Sequence, residues 1–205
     1  MPITETRIFL IRHGEAEGMK PGAFLGQTDL PLSAAGAETI KGVAETLSRM
    51  PIAGVYTSPL LRCIQSAEIV GKAFGLSPDP REGLKEVSLG EWEGLTFEEI
   101  AARYPEEAAR MSRDRAEFVY PGGESIARMA VRAAKAWEEI VVRSEGRQIV
   151  VVGHGGVNRA ILAKVLDMPL NSMFKLRQDF GCVNVVDFGN DFPMLRLLNA
   201  SPGLL

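Results

Sequence analysis

The sequence predicts an α/β fold: three layers, α/β/α, around a mostly parallel central sheet. Three observations predict it. Short, β-rich apolar runs recur at residues 7–11, 53–57 and 148–152. Each is followed, directly or across a loop, by a stretch with helical periodicity. Strands that alternate with helices in this way build parallel sheets covered on both faces.

Taken in order, residues 7–11 form the first buried strand, and a Gly/Pro-bearing loop, "GMKPGAFLGQTDLPL", follows. Ser33 caps a helix that runs to about residue 49. Residues 53–57 are the second strand, and Ser58-Pro59 reads as N-cap and first turn of a helix over 59–74. A turn is expected at 75–80, then an irregular segment over 84–94, rich in glycine and carboxylates. Residues 96–115 read as helical with a break near Pro105, and "YPGGES" breaks the pattern again. Ser125 or Glu124 opens a long amphipathic helix to about 143. A strand at 148–152 leads into a helix over about 157–167, and late strands at 182–188 and 194–198 pair around "GND". No internal repeat interrupts this order. The chain therefore reads as a single domain over 1–205, with an inserted helical or lid segment at about 76–123.

Composition narrows the function. With 46% apolar and 24% charged residues, usage is that of an ordinary globular protein. A net charge of −3 leaves no basic footprint for nucleic acid, although local charge can still bind a small anion. Two cysteines are too few for a disulfide framework, so a reducing compartment is expected. No basic-then-apolar leader and no apolar run of membrane-spanning length is visible. The expectation is a cytoplasmic protein with no membrane and no nucleic-acid partner.

Histidine occurs only twice in 205 residues, both times where an apolar run meets glycine: His13 in "FLIRHGEAEG" and His154 in "IVVVGHGGVN". In open α/β sheets, ligands bind beyond the carboxyl ends of the strands. The first strand delivers Arg12 and His13 there, and the strand at 148–152 delivers His154. Arg62 falls in the first turn of the helix after the second strand, and helical side chains lean toward the N-terminus, back to that edge. If the three strands are neighbours, two imidazoles and two guanidiniums converge. Guanidinium forks match phosphate oxygens, and histidine can act as a covalent nucleophile kept unprotonated by nearby positive charge. Gly155-Gly156 ahead of a helix can offer backbone N–H groups to an anion. A leaving alkoxide needs a proton, and "LKEVSLGEWEGL" offers Glu86, Glu91 and Glu93. No Cys/His ligand spacing suggests a metal, and no cofactor is expected.

"RHGE" after the first strand, "SPLLRC", "KEVSLGEWEG" and "GHGG" after a late strand together resemble the histidine phosphatase superfamily, also called phosphoglycerate mutase-like. The resemblance runs from residue 7 to about 188, with the motifs in order. It implies the phosphoglycerate mutase-like fold. It makes His13 the nucleophile that becomes phosphohistidine, and Glu86 the proton donor, leaving Glu91 and Glu93 outside that role. It assigns the phosphate pocket to Arg12, Arg62 and His154, with Gly26 and Gly155 among the binding positions. It implies a small phosphorylated metabolite as partner.

Departures from the pattern carry information. Where the family has Ser or Thr and then Asn after RHGE, this chain has Ala16 and Met19, and Leu25 replaces the Thr before the loop glycine, Gly26. The first loop is thus more apolar than usual, which weighs against a small, highly charged substrate such as a phosphoglycerate. Family mutases also carry a longer basic insertion after the Glu segment, so the resemblance favours a phosphatase over an isomerase. A non-catalytic phospho-ligand module is the third reading, opposed by the intact set of site residues. "FKLRQDFGCVNVVDF" resembles α-ribazole phosphatase-like members that act in cobalamin assembly. The remaining features have plainer readings: Cys63 as a small buried residue, Trp92 as a packing anchor, "PGGES" as turn plus cap. Arg103, Arg110, Arg113 and Arg115 read as an exposed helix face.

Overall fold

In a computed structural model, residues 5–18, 20–189 and 192–203 are described. Six strands form one sheet in the order β3-β2-β4-β1-β5-β6. They are β1 (Thr6–Arg12), β2 (Ile52–Thr57), β3 (Asp79–Pro80), β4 (Gln148–Gly153), β5 (Val183–Phe188) and β6 (Pro193–Ala200). The β1–β4, β2–β4 and β2–β3 pairs are parallel, and β5 alone runs against its neighbours.

The sheet is covered on both faces, and side-chain alternation sorts the core. Ile8 and Leu10 of β1, with Ile149 and Val151 of β4, pack beneath α5 (Ile126–Arg143) and α6 (Gly155–Val165), against Trp137, Ile140 and Ile161. Phe9, Ile11, Val150 and Val152 point the other way. They meet Ile40, Val43 and Leu47 of α1 (Ala34–Leu47) and Ala67 and Val70 of α2 (Leu61–Lys72). Two-sided burial explains why these strands read as continuous apolar runs rather than alternating ones. A second cluster joins the larger core from the segment after β3, where Trp92 is fully buried against Phe118, Tyr120 and Tyr104. It anchors α3 (Phe97–Arg103) and α4 (Pro105–Arg113), split at Pro105 as the sequence indicates.

Ser33 and Ser125 cap α1 and α5 by accepting from the third backbone N–H beyond them. Three boundaries differ from expectation. Helix α2 starts at Leu61 rather than Pro59; the Ser58 Oγ accepts from Leu60 N–H at 3.3 Å and also meets His154 Nε2 at 2.7 Å. Helix α6 begins at Gly155, two residues earlier than the pattern indicates. The turn before Arg81 contains β3, two residues that extend the sheet edge. The late strands do pair, antiparallel; Asn190 and Asp191 between them lie outside the described residues, as does Met19.

Strand register places the site. Arg12 pairs with Gly153, and Thr57 with Val152, so β1, β2 and β4 end almost level. The next residues of the three chains stay together: His13 N–H donates to the Gly153 carbonyl at 3.0 Å, and Ser58 N–H to the Val152 carbonyl at 3.1 Å.

Candidate active site

His13 leaves the end of β1 into a loop that packs backbone against backbone on the start of α1. A Cβ on Gly14 would lie 2.4 Å from the Gly36 carbonyl oxygen, so only glycine fits there. The turn folds the His13 ring onto its own chain. Nδ1 sits 2.6 Å from the Gly14 carbonyl oxygen, which can only accept, so Nδ1 carries the proton. Nε2 is then the lone-pair nitrogen, and Arg62 Nε donates to it at 3.3 Å. Both imidazoles are held well below the ordinary histidine pKa. Burial is the first cause for each, ahead of neighbouring positive charge from Arg62 and Arg12; His154 also feels His13. Nearby arginines, expected to keep the nitrogen unprotonated, therefore act second to desolvation.

Arg62 is 1% exposed and forks across the site. Its Nη1 donates to the Thr28 carbonyl at 2.8 Å and its Nη2 to the Gly26 carbonyl at 2.7 Å, with His154 Nδ1 3.2 Å from Nη2. His154 lies edge-on to His13, ring centroids 5.1 Å apart. Arg12 reaches in from the other side, its Cζ 3.8 Å over the Phe180 ring and its Nη1 donating to the Gln178 carbonyl at 2.6 Å. Among the described residues Arg12 Nε is buried with no hydrogen-bond partner, an orphaned donor that an anionic oxygen would satisfy.

Glu86 comes from the segment above the sheet. Its Oε2 accepts from Gly156 N–H at 2.8 Å, at the first turn of α6. A Cβ at Gly156 would lie 2.4 Å from Glu86 Oε1, so a larger residue there would push the carboxylate from this position. The Gly156 N–H expected to face an anion is therefore taken by Glu86. Arg132 of α5 fastens the Glu86 backbone, donating to the Gly83 and Glu86 carbonyls at 3.0 and 2.8 Å. "PGGES" does more than cap: Glu124 pairs with Arg132 and accepts from Ser88 N–H at 3.0 Å.

The structure thus brings together Arg12, His13, Arg62, Glu86, His154 and Gly155, the last with its Cβ position 3.4 Å from Arg12 Nε. Gly26 behaves differently from expectation. Its N–H donates to Glu93 at 3.0 Å, and it meets the site only through the carbonyl that holds Arg62. Glu93, set aside by the sequence reading, organises this loop. Its carboxylate accepts from the N–H groups of Gly26, Gln27, Thr28 and Leu89 and from the Thr28 hydroxyl. Glu91, in contrast, meets Tyr104. Cys63 is buried against His154, and burial pushes its thiol well above the ordinary range. Ser58, Gln178 and Phe180 went unrecognised in the sequence. No periodicity marks them, and each meets the site only through contacts with residues far away in the chain.

Comparison with known proteins places this geometry. The family model of the histidine phosphatase superfamily (branch 1) matches residues 8–201. The chain belongs to the histidine phosphatase superfamily. It is 31% identical over 178 residues to phosphoserine phosphatase 1 of Hydrogenobacter thermophilus, covering 87% of this chain and 82% of that one. The α-ribazole phosphatase structure from Shigella flexneri superposes with a TM-score of 0.89 at 26% identity, over 97% of this chain and 99% of that one. A bifunctional protein of Mycobacterium tuberculosis is 32% identical over 198 residues, 96% of this chain. The chain spans about half, 54%, of that protein's length. Among the described residues, no helix is long and apolar enough to cross a membrane.

Proposed function

We propose that the protein is a metal-independent phosphomonoesterase that works through a phosphohistidine on His13. The observation that carries this reading is the state of His13. Nδ1–H is tied to the Gly14 carbonyl, and Nε2 is left as a lone-pair nitrogen that meets the Arg62 guanidinium, with the His154 ring edge-on beside it. The substrate phosphoryl group docks on Arg62 and on the unpartnered Arg12 Nε, with His154 beside it. His13 Nε2 attacks phosphorus in line, the P–O bond to the leaving group breaks, and Glu86 gives that oxygen its proton. Glu86, now a carboxylate, takes a proton from water as it attacks the phosphohistidine, which releases phosphate and restores His13. The positive charge that stabilises the negative equatorial oxygens comes from side chains, which act without reorganising. Within this reading, residues 76–123 form an insertion that covers the site and carries Glu86. Gly26 serves by orienting Arg62.

Among small phosphorylated metabolites, α-ribazole 5′-phosphate is the substrate to test first. The Shigella flexneri phosphatase superposes along nearly the full chain, and the first loop carries the apolar Ala16 and Leu25. Two free, buried cysteines support a cytoplasmic location.

The test is phosphate release from p-nitrophenyl phosphate, followed by quenching during turnover and mapping of the phosphoryl group by mass spectrometry under alkaline conditions. The expected label is on His13, and His13→Ala is expected to lose at least about 10⁴-fold in rate while staying folded. A label on serine, or an active His13→Ala variant, overturns the assignment. Faster interconversion of 3- and 2-phosphoglycerate than phosphate release would make the protein a mutase instead.

A further inference from the structure

A pocket of about 310 Å³ opens between the first loop, α3, α4 and the turn after α6. Phe24, Phe97, Tyr120 and Phe174 line it, with Met111, Ser112 and Arg115. We infer that this pocket is the subsite for the leaving group of the ester, and that the group it takes is aromatic or heteroaromatic. The inference rests on the phosphomonoesterase reading and adds to it the class of alcohol released.

Position is the first argument. Two of the rings are tied to site residues by short chain links, and a third feels the charge of Glu86. Phe24 lies two residues before Gly26, whose carbonyl holds Arg62. Phe174 lies two residues before Leu176, whose carbonyl accepts from Arg159 Nε at 2.7 Å. Arg159 and Arg12 in turn flank the same point beside Gly155. Tyr120 sits close enough to Glu86 that the carboxylate's charge helps burial push its hydroxyl up to about 12. Gln27, three residues after Phe24, donates to the Glu86 carbonyl at 2.9 Å, so the pocket lies on the side of the proposed proton donor, where the leaving oxygen must emerge.

Chemistry is the second argument. No carboxylate lines the pocket, and its one charged side chain, Arg115, already stacks 5.3 Å over the Phe174 ring. Four π faces and a thioether favour a flat apolar group that can stack or meet them edge-on. Phe97 and Phe174 remain 45% and 39% exposed, an apolar rim that an inserted ring would cover. The volume sits at the small end of ligand pockets, enough for one ring system with a short linker. A serine or glycerate leaving group would bring a carboxylate into this apolar lining with only Arg115 to receive it.

The experiment compares kcat/KM for 2-phenylethyl phosphate and n-propyl phosphate. Their leaving groups have similar acidity, so the ratio reports recognition of the ring rather than ease of bond cleavage. The wild type is expected to favour the phenylethyl ester by roughly tenfold or more, the scale of one or two aromatic contacts. In Phe174→Ala the ratio is expected to collapse toward one. Phe97→Ala, on a different element and also exposed, provides the same reading should the first variant fold poorly. A wild-type ratio near one, or a ratio unmoved in both variants, overturns the subsite and leaves the phosphatase reading standing. No turnover of either ester or of p-nitrophenyl phosphate overturns both.

Discussion

The floor and the roof of the site are built from different materials. The floor lies at the ends of β1, β2 and β4, where His13, Arg62 and His154 are buried and bonded to backbone carbonyls or to one another. The roof comes from the segment between β3 and α5. It presents one carboxylate, Glu86, and an aromatic cluster around Trp92, Phe118 and Tyr120. In the proposed function the floor takes the phosphoryl group, which every monoester shares. The roof in that reading meets the alcohol, in which esters differ. Damage to the floor should therefore cost all substrates alike, while damage to the roof should depend on the leaving group.

Glu86→Gln tests this difference most sharply. It keeps the shape but cannot donate a proton, so alkyl phosphates should lose about 10²–10⁴-fold in kcat, while p-nitrophenyl phosphate, whose leaving group needs little help, should lose far less. Steady-state rates across esters of graded leaving-group acidity measure it. Equal losses across the series would remove Glu86 as the acid. Should Glu91→Gln show the dependence instead, the donor is that carboxylate.

Glu93→Gln probes the boundary. Glu93 belongs to the roof by sequence, but through Gly26 and Thr28 it acts on Arg62 of the floor. An amide cannot accept all of these donors. Its loss, about tenfold in kcat/KM, should be the same for alkyl and aryl esters and should largely vanish in an Arg62→Ala background, since coupled residues are non-additive. Additive losses in the double variant would show that Glu93 does not work through Arg62.

The buried floor also predicts a pH dependence of stability. Both imidazoles titrate well below the ordinary value in the folded state, chiefly through burial. In the unfolded chain they titrate near 6.5. Below about pH 6.5 the unfolded state therefore takes up protons that the folded state refuses, and stability falls as pH drops toward the lowered folded pKa. The limiting slope is about 1.4 kcal/mol per pH unit for each histidine. Tm measured between pH 7 and 5 should decline, less steeply in His154→Gln than in the wild type. Equal slopes would exclude His154 as a source.

The smallest expected effect is that of chelation. Prolonged EDTA treatment should leave phosphatase activity within about twofold, because the floor's guanidiniums supply the positive charge. A large loss restored by one divalent ion would place a metal at the site.

Much of this was legible in the chain. The buried character of β1 and β4, the caps at Ser33 and Ser125, the break at Pro105 and the placing of both histidines at strand ends follow from patterns a few residues long. So did the sequence motifs shared with the superfamily, because His13, Arg62, Glu86 and His154 each sit in a short motif. The tertiary structure alone decided that β4 lies between β1 and β2, which brings His154 beside His13 across 141 positions of sequence. It also decided that Ser58 meets His154 as well as the start of α2, and that the Gly26 carbonyl rather than its N–H faces the site. Glu93 gained its place by the same route, accepting from a loop 65 to 67 residues away. The reason is physical. Periodicity and capping are local free energies written in neighbouring residues, whereas a hydrogen bond between distant residues exists only once strand order and register have brought its partners within about 3 Å.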